Sequence, residues 1–490
     1  MRTFIWASGS ALLAITAPAH AQEAAGDRTA SVDQPATSSK ADGAPAPTGD
    51  QILDRLNALE ARVRQLETRN AELEAAAAET QTRVENVEVR AAKGVQTTGA
   101  APTFADTADT FSFHPRGLIQ VDFAAYNERA GGYDYNDGTD LRRARFGFDG
   151  TFQKSFKYRL EAEYVKNTVN LLDAYIQYIV NPKVTLTIGQ HKTPIGLEAN
   201  TSDTINSFIE RGMVVNAFGA VGGERRVGIS ALYTSDHLSA QAGVFGSSEG
   251  VQRNAATPDE GYGVNARVTW DPILDNDAGN IVHLGGSAFY ATNFAGNTLA
   301  VSDRPGTRVD GGVIVFAVIP AGTAAVPTGA KNATYFGAEA ALVHGPFSLQ
   351  GEYGNLAIDR FGGLSDVNFD GFYVFGSVFL TGENRVFKGG NADRIKPIKN
   401  FDPANGGWGA FELLARYDEL DLTDRDLSAL DRKATTYTAG LNWYLNPNLK
   451  FVFNYIRFKG QNSPLAVPPV AVNGTTAKGD AFATRLQVDF

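Results

Sequence analysis

Two neighbouring stretches of this chain carry cations at every second position: Arg143 and Arg145 in one, Lys157 and Arg159 in the next. Alternation by two places such side chains on one face of an extended strand. Guanidinium forks match the oxygens of phosphate and carboxylate, and an ammonium supplies a point charge. The chemistry on offer is therefore electrostatic recognition of small anions, with no covalent step. Arg142 has the opposite parity but sits near a loop end, from which it can turn to the mouth of whatever the strands enclose. A long connection starting at Lys192 adds Arg211, Arg225 and Arg226, and is a candidate to fold inward and narrow a passage. Asp149, Glu161, Glu163 and Asp173 share the same strand faces, where cross-strand pairing can offset the cations.

Other chemistries find little support. With no cysteine there is no disulfide framework, thiolate metal site or thiol nucleophile. His114, His191, His237, His283 and His344 fall at expected strand starts, rims or turns, without a G-x-S-x-G elbow and without a helical histidine pair. No P-loop is present. We expect no catalytic residue, no metal and no cofactor. The 44 basic residues are outnumbered by 54 acidic ones, net charge −10, which argues against nucleic acid as a partner.

The elements that must position these charges are strands. From Phe111 to Phe490 the hydrophobic period is two, over sixteen segments that include Leu141–Gln153, Phe156–Lys166, Leu171–Val180 and Val184–Gln190. Ala144, Phe146, Phe148 and Phe152 oppose Arg143, Arg145, Asp149 and Gln153; Leu160, Ala162 and Tyr164 oppose Arg159, Glu161 and Glu163. Connections such as Asn181-Pro182-Lys183 and Asn446-Pro447-Asn448 are tight. Lys192–Arg226, Asn293–Lys331 and Lys459–Asp480 are long, and Gly382–Trp408 is a long exception on the tight side. Short turns on one rim, long loops on the other, and apolar faces ending in aromatics describe an outer-membrane barrel. The expected fold class is all-β: a 16-stranded antiparallel transmembrane β-barrel, preceded by an α-helical coiled-coil segment. Such a barrel encloses water, so its inward side chains should form a wet, charged wall.

Residues 1–21 read as a signal peptide, with Arg2, an apolar run and Ala19-His20-Ala21. Residues 22–50 read as a disordered linker, poor in large apolar side chains. In 51–90 a heptad seam runs Ile52, Leu56, Leu59, Val63, Leu66, Asn70, Leu73, Ala77, Thr80, Val84, Val87, the pattern of a self-associating periplasmic coiled coil. Residues 91–110 read as a second linker and 111–490 as the barrel. The expected location is the outer membrane, reached by export.

Gly189-Gln190-His191-Lys192-Thr193-Pro194-Ile195-Gly196-Leu197-Glu198 resembles the phosphate-selective porin O/P family. Arg142-Arg143-Ala144-Arg145-Phe146-Gly147, Leu172-Asp173-Ala174-Tyr175, Leu380-Thr381-Gly382-Glu383 and Gly409-Ala410-Phe411-Glu412 support the likeness. The resemblance implies a trimeric sixteen-stranded barrel with inward-folded loops that passes anions through a basic constriction. Arg142 and Arg143 match the family's paired arginines, and Asp173 and Lys192 match its constriction. Arg145 falls near a tyrosine position, and Asn293–Lys331 offers only Arg304, Arg308 and Lys331 towards the family's arginine ladder.

The function expected is passive diffusion of small anions such as phosphate, by a homotrimer in contact with outer-membrane lipid. The expected pathway residues are Arg142, Arg143, Arg145, Lys157, Arg159, Asp173, Lys192, Arg211, Arg225 and Arg226. The alternative is a carbohydrate-specific or weakly selective general diffusion porin. A sugar channel would use inward Tyr175, Tyr373, Phe375 and Phe379 as stacking surfaces. A third possibility, a barrel hydrolase, lacks an evident nucleophile.

Overall fold

The structure, a computed structural model, describes residues 49–96, 100–106, 108, 110–246, 260–292, 298–322, 328–465 and 475–490. The expected leader at 1–21 lies outside these residues, as does all but the end of the 22–50 linker.

Helix α1, Gly49–Gly94, is rich in Ala, Leu, Glu, Arg and Gln, the residues that lose least on entering a helix. Its seam residues Leu56, Leu59, Val63, Leu66 and Leu73 lie in line and are 49–61% exposed. The expected linker at 91–110 is partly structured. Val95–Gln96 pairs with Thr103–Ala105, whose Phe104 and Ala105 face Phe113 and Ser112. An open edge next to the first barrel strand recruits these backbone groups into its ladder.

Sixteen strands follow. They are β1 Phe111–Ala130, β2 Gly138–Phe152, β3 Phe156–Val165, β4 Thr168–Asn181, β5 Val184–Lys192, β6 Arg225–Thr234, β7 Leu238–Phe245 and β8 Gly263–Asp275. The series continues with β9 Asn280–Thr292, β10 Ala330–His344, β11 Phe347–Arg360, β12 Val367–Phe379, β13 Ala410–Asp421, β14 Lys433–Asn446, β15 Leu449–Gln461 and β16 Thr476–Asp489. Each pairs antiparallel with the next, and β16 closes on β1 through Ala483↔Ala124, Leu486↔Val121 and Asp489↔Leu118. Closure removes the sheet edges along the stretch that the last strand covers, Leu118 to Ala130.

The rims sort as expected, with one difference. β3 and β4 are joined on the long-loop rim by Lys166-Asn167 alone, both at positive φ (53° and 59°) as a two-residue hairpin turn demands. The outer surface carries Phe146, Leu160, Ile176 and Ile188, while Arg143, Glu161 and Asp173 on the same strands are buried inward. Rings of neighbouring strands meet on the outer face near the short-turn rim: Phe152 and Phe156 at 5.0 Å, Phe156 and Tyr178 at 5.2 Å, Phe411 and Trp443 at 5.6 Å.

The expectation of a uniformly wet inner wall is corrected. The inward side chains Phe289, Tyr335, Leu356, Ile358, Val367, Phe369, Tyr373, Phe375 and Leu420 form an apolar surface over β9 to β13. Helix α3, Met213–Gly222, lies on it with Met213, Val214, Ala217, Phe218 and Val221 buried. A hairpin, Leu299–Asp303 with Val315–Ile319, adds Val301, Val315, Ala317 and Ile319. Sixteen strands enclose more volume than wall side chains can fill, so the chain's own loops pack the apolar side of the lumen. The approach is close: a side chain at Gly222 would meet Phe289 at 2.7 Å.

Phe218 is 1% exposed at this contact. Phe218→Ala should cost about 3–5 kcal/mol of local stability. Hydrogen exchange should then rise across Met213–Gly222 and stay unchanged in the barrel strands; equal protection in both proteins would show that this contact does not hold α3.

Candidate functional site: a charged passage beside the third loop

The loop between β5 and β6 crosses the lumen and is tied down at both walls. Its neck is closed by Thr193 Oγ1 donating to Gly223 O at 2.7 Å. Lys192 Nζ donates to the carbonyls of Ala199 and Thr201 at 2.8 and 3.2 Å. Gly196 adopts φ 63°, turning the chain into the short helix α2, Leu197–Asn200, where the N–H groups of Leu197 and Glu198 donate to the Glu352 carboxylate at 2.8 Å each. On the opposite wall, Gln487, Lys450 and Asn442 donate to the carbonyls of Thr204, Asn206 and Ser207, each at 2.8 Å. Arg416 donates to the Glu210 carbonyl at 3.0 Å, and the Met213 N–H donates to Asp418 at 2.9 Å. Buried backbone groups must find partners, and the inward polar residues of β13 to β16 supply them.

Three acids of this loop gather the basic wall. Asp203 receives Arg145 at 2.6 Å, Arg211 at 2.7 Å and Arg143 at 3.3 Å. Glu210 meets Arg142 at 2.8 Å, Arg485 at 3.2 Å and Arg308 at 3.4 Å. Glu224 meets Arg225 at 3.1 Å, Arg211 at 3.2 Å and Lys192 at 3.8 Å. Asp173 holds Arg225 at 3.0 Å and Arg159 at 3.8 Å. Burial alone would raise these loop carboxyls. For Asp203 the guanidiniums of Arg143, Arg211 and Arg145 outweigh it and hold the group well below the usual carboxylate range. Arg142, Arg308, Arg143 and Arg485 do the same for Glu210, and Arg211, Arg225 and Lys192 for Glu224.

Two cavities flank this knot. The one towards the long-loop rim, about 220 Å³, is lined by four guanidiniums (Arg142, Arg143, Arg211, Arg308) and two carboxylates (Glu210, Glu224). The one towards the short-turn rim, about 260 Å³, is lined by five cations (Arg116, Arg145, Arg159, Lys192, Arg225) and three carboxylates (Glu161, Asp173, Asp203). Cations exceed carboxylates in both.

Eight of the residues named from sequence thus border a cavity. Lys157 and Arg226 do not. Lys157 is exposed on the short-turn rim between Thr151 and Gln177. Arg226 turns to the carbonyls of Val221 and Gly246 at 3.2 and 3.4 Å, where it caps the last turn of α3. Asp203, Glu210, Glu224 and Arg116 were missed. The available signal was the alternation of acid and base in Glu210-Arg211 and Glu224-Arg225. The aromatic residues proposed for sugar stacking divide: Tyr175 lines the lower cavity, whereas Tyr373, Phe375 and Phe379 are at most 2% exposed, the first two beneath α3.

Two histidines are not the rim residues expected. His283 is fully buried between Asp271 at 2.6 Å and Glu339 at 3.1 Å. His191 contacts Ser230 at 2.8 Å, but its other ring nitrogen faces the Gly189 carbonyl rather than a carboxylate.

Removing Asp203 leaves three guanidiniums facing one another, and breaking a buried pair in this way costs about 3–5 kcal/mol. Asp203→Asn should lower the thermal transition and make the third loop sensitive to protease; an unchanged melting curve would count against its role as hub. The three acids are held below their unfolded range of about 3.9–4.3. Their contribution is therefore complete above that range and disappears only as pH falls through the depressed folded values. Any change in conductance that these three acids cause should therefore come only below about pH 4; a profile that stays flat through the acid range would show that they do not control it.

The profile of the family described as Phosphate-selective porin O and P matches residues 113–490. An uncharacterized protein of Caulobacter vibrioides is 31% identical over 359 residues, covering 71% of this chain and 69% of its own length. Porin O of Pseudomonas aeruginosa is 28% identical over 422 residues, covering 79% and 90%. Among solved structures, the anion-selective porin from Comamonas acidovorans superposes with a TM-score of 0.50 at 16% identity, covering 78% of this chain and all of its own. With the closed sixteen-stranded barrel and its loop-narrowed lumen, these matches place the chain in the phosphate-selective porin O and P family, as an outer-membrane β-barrel porin.

Proposed function

We propose that the barrel passes small anions, phosphate among them, by passive diffusion along the wall formed by β1 to β7. The observation that carries this reading is the excess of cations in the linings of both cavities, on either side of the Asp203 knot. An anion entering from the long-loop rim meets Arg142, Arg143, Arg211 and Arg308. It exchanges hydration for guanidinium N–H donors and passes to Arg145, Lys192, Arg225, Arg159 and Arg116. Asp203, Glu210, Glu224 and Asp173, with Asp149 and Glu161 at Arg116, occupy part of each cation's donor set. They keep any one site from binding too tightly, which a channel needs for release. The low-dielectric walls of the passage strengthen the net field of the lining.

The same ion pairs favour a second reading, a weakly selective diffusion porin, in which carboxylates cancel most of the field. A carbohydrate channel has less support, since Tyr373, Phe375 and Phe379 are covered.

Reversal potential in a salt gradient separates the first two. Replacing both Arg143 and Lys192 with Glu should lower the anion-to-cation permeability ratio several-fold, and an unchanged ratio would exclude these two residues from the pathway. Single-channel recordings in chloride against phosphate would rank the solutes.

We infer further that copies assemble as a homotrimer, with the α1 seam acting as a periplasmic coiled coil. The seven-residue repeat and Asn70 within the seam support that role. Deleting residues 52–87 should lower trimer stability while leaving single-channel conductance unchanged; equal trimer stability would remove the role.

A further inference from the structure

The connection between β12 and β13, residues 380–409, is long on a rim where other turns are two to four residues. Its first part folds into the lumen. Arg385 pairs with Glu412 and donates to Ser348 at 2.9 Å. Phe387 is buried, and Arg267 donates to Gly390 O at 2.7 Å. Its last part does something different. Phe401 and Trp408 lie on the outside of the barrel, with ring centroids 6.1 Å apart, and Phe401 is edge-on to Trp443 at 5.4 Å. Trp443 stacks in turn on Phe411 and Phe451 at 5.6 and 5.8 Å. Leu380, Ile398 and Trp408 are 60%, 68% and 59% exposed. Leu, Ile and Trp standing that far out at the rim of a soluble surface would be a liability.

The backbone sets the depth of this patch. Phe401 N donates to Leu445 O at 2.6 Å, Asp402 and Gly407 exchange two bonds at 2.9 Å, and Trp443 Nε1 donates to Trp408 O at 2.7 Å. Between them Pro403–Asn405 forms one 3₁₀ turn, with Asp402 and Asn405 exposed at its polar tip. Irregular backbone of this kind does not occur in lipid hydrocarbon, but it is at home at the headgroup level, where aromatic rings also prefer to sit. Lys396 and Lys399, both exposed, flank Ile398 and are placed for lipid phosphate.

We propose that residues 398–408 form a lipid-docking foot: an amphipathic segment that extends the strand-borne aromatic girdle and seats on phospholipid of the periplasmic leaflet. Continuity with the strand-borne rings identifies lipid as the occupant. Phe401 and Trp408 share ring contacts with Trp443 and Phe411, which already face the membrane from the strands. The proposal is independent of which solute the pore favours.

The test uses the full chain in nanodiscs of phosphatidylethanolamine, with and without bromine near the upper acyl chain. The chain has four tryptophans, Trp6, Trp270, Trp408 and Trp443. With Trp6, Trp270 and Trp443 replaced by Phe, Trp408 emission should fall by at least about twofold in brominated lipid and be little quenched by acrylamide. Should Trp443→Phe unsettle the foot, the parent chain and Trp408→Phe are compared directly, and the parent should lose the larger absolute amount of emission in brominated lipid; an equal loss in both overturns the proposal. Equal emission in the two lipids overturns the proposal. In that outcome strong acrylamide quenching would indicate a foot in water, and weak quenching a foot buried against a second copy.

Discussion

A closed barrel of sixteen strands has a circumference set by its hydrogen bonds, and the volume inside grows faster than wall side chains can fill it. Everything particular to this porin follows from how that volume is occupied. An apolar half-wall from β9 to β13 draws α3 and the Leu299–Ile319 hairpin onto itself, as any apolar surface draws cover from water. The polar side, from β1 to β7, cannot be covered in that way and keeps its charged side chains on two cavities. The charged cavities therefore lie on one side of the lumen rather than in a ring.

Crossing the barrel obliges the third loop to bury backbone and charge together. Its carbonyls are met by Gln487, Lys450, Asn442 and Arg416, and its acids meet the arginines of β2. A guanidinium taken out of water without a partner would be costly, and an acid there without a guanidinium equally so. Asp203 settles both demands for three arginines at once. The same residue thus fixes the loop and offsets the charge of the arginines around it, which couples the position of the loop to the electrostatics of the lumen.

The connection between β12 and β13 repeats this division of labour on a smaller scale. Arg385 and Phe387 belong to the packed interior, whereas Phe401 and Trp408 belong to the outer aromatic surface. A two-residue turn could serve neither environment; the length of this one is explained by its having a share in both.

The chain's period-two alternation alone determined the barrel, because a strand between oil and water must segregate its side chains by parity. It also placed Arg143, Arg145 and Arg159 inward, and the heptad of α1 was legible for a similar geometric reason. What parity cannot say is what an inward residue faces. Phe375 and Arg143 are both inward, yet one lies beneath the third loop and the other lines a cavity. Lys157 has the right parity but lies too near the rim. Arg226 has its carbonyl partners only because α3 ends beside it. The pairing of Asp203 with Arg143, sixty positions apart, depends on where a loop lands after crossing the lumen. Only the tertiary structure decides that, since the contacts that fix the landing come from strands at the other end of the chain.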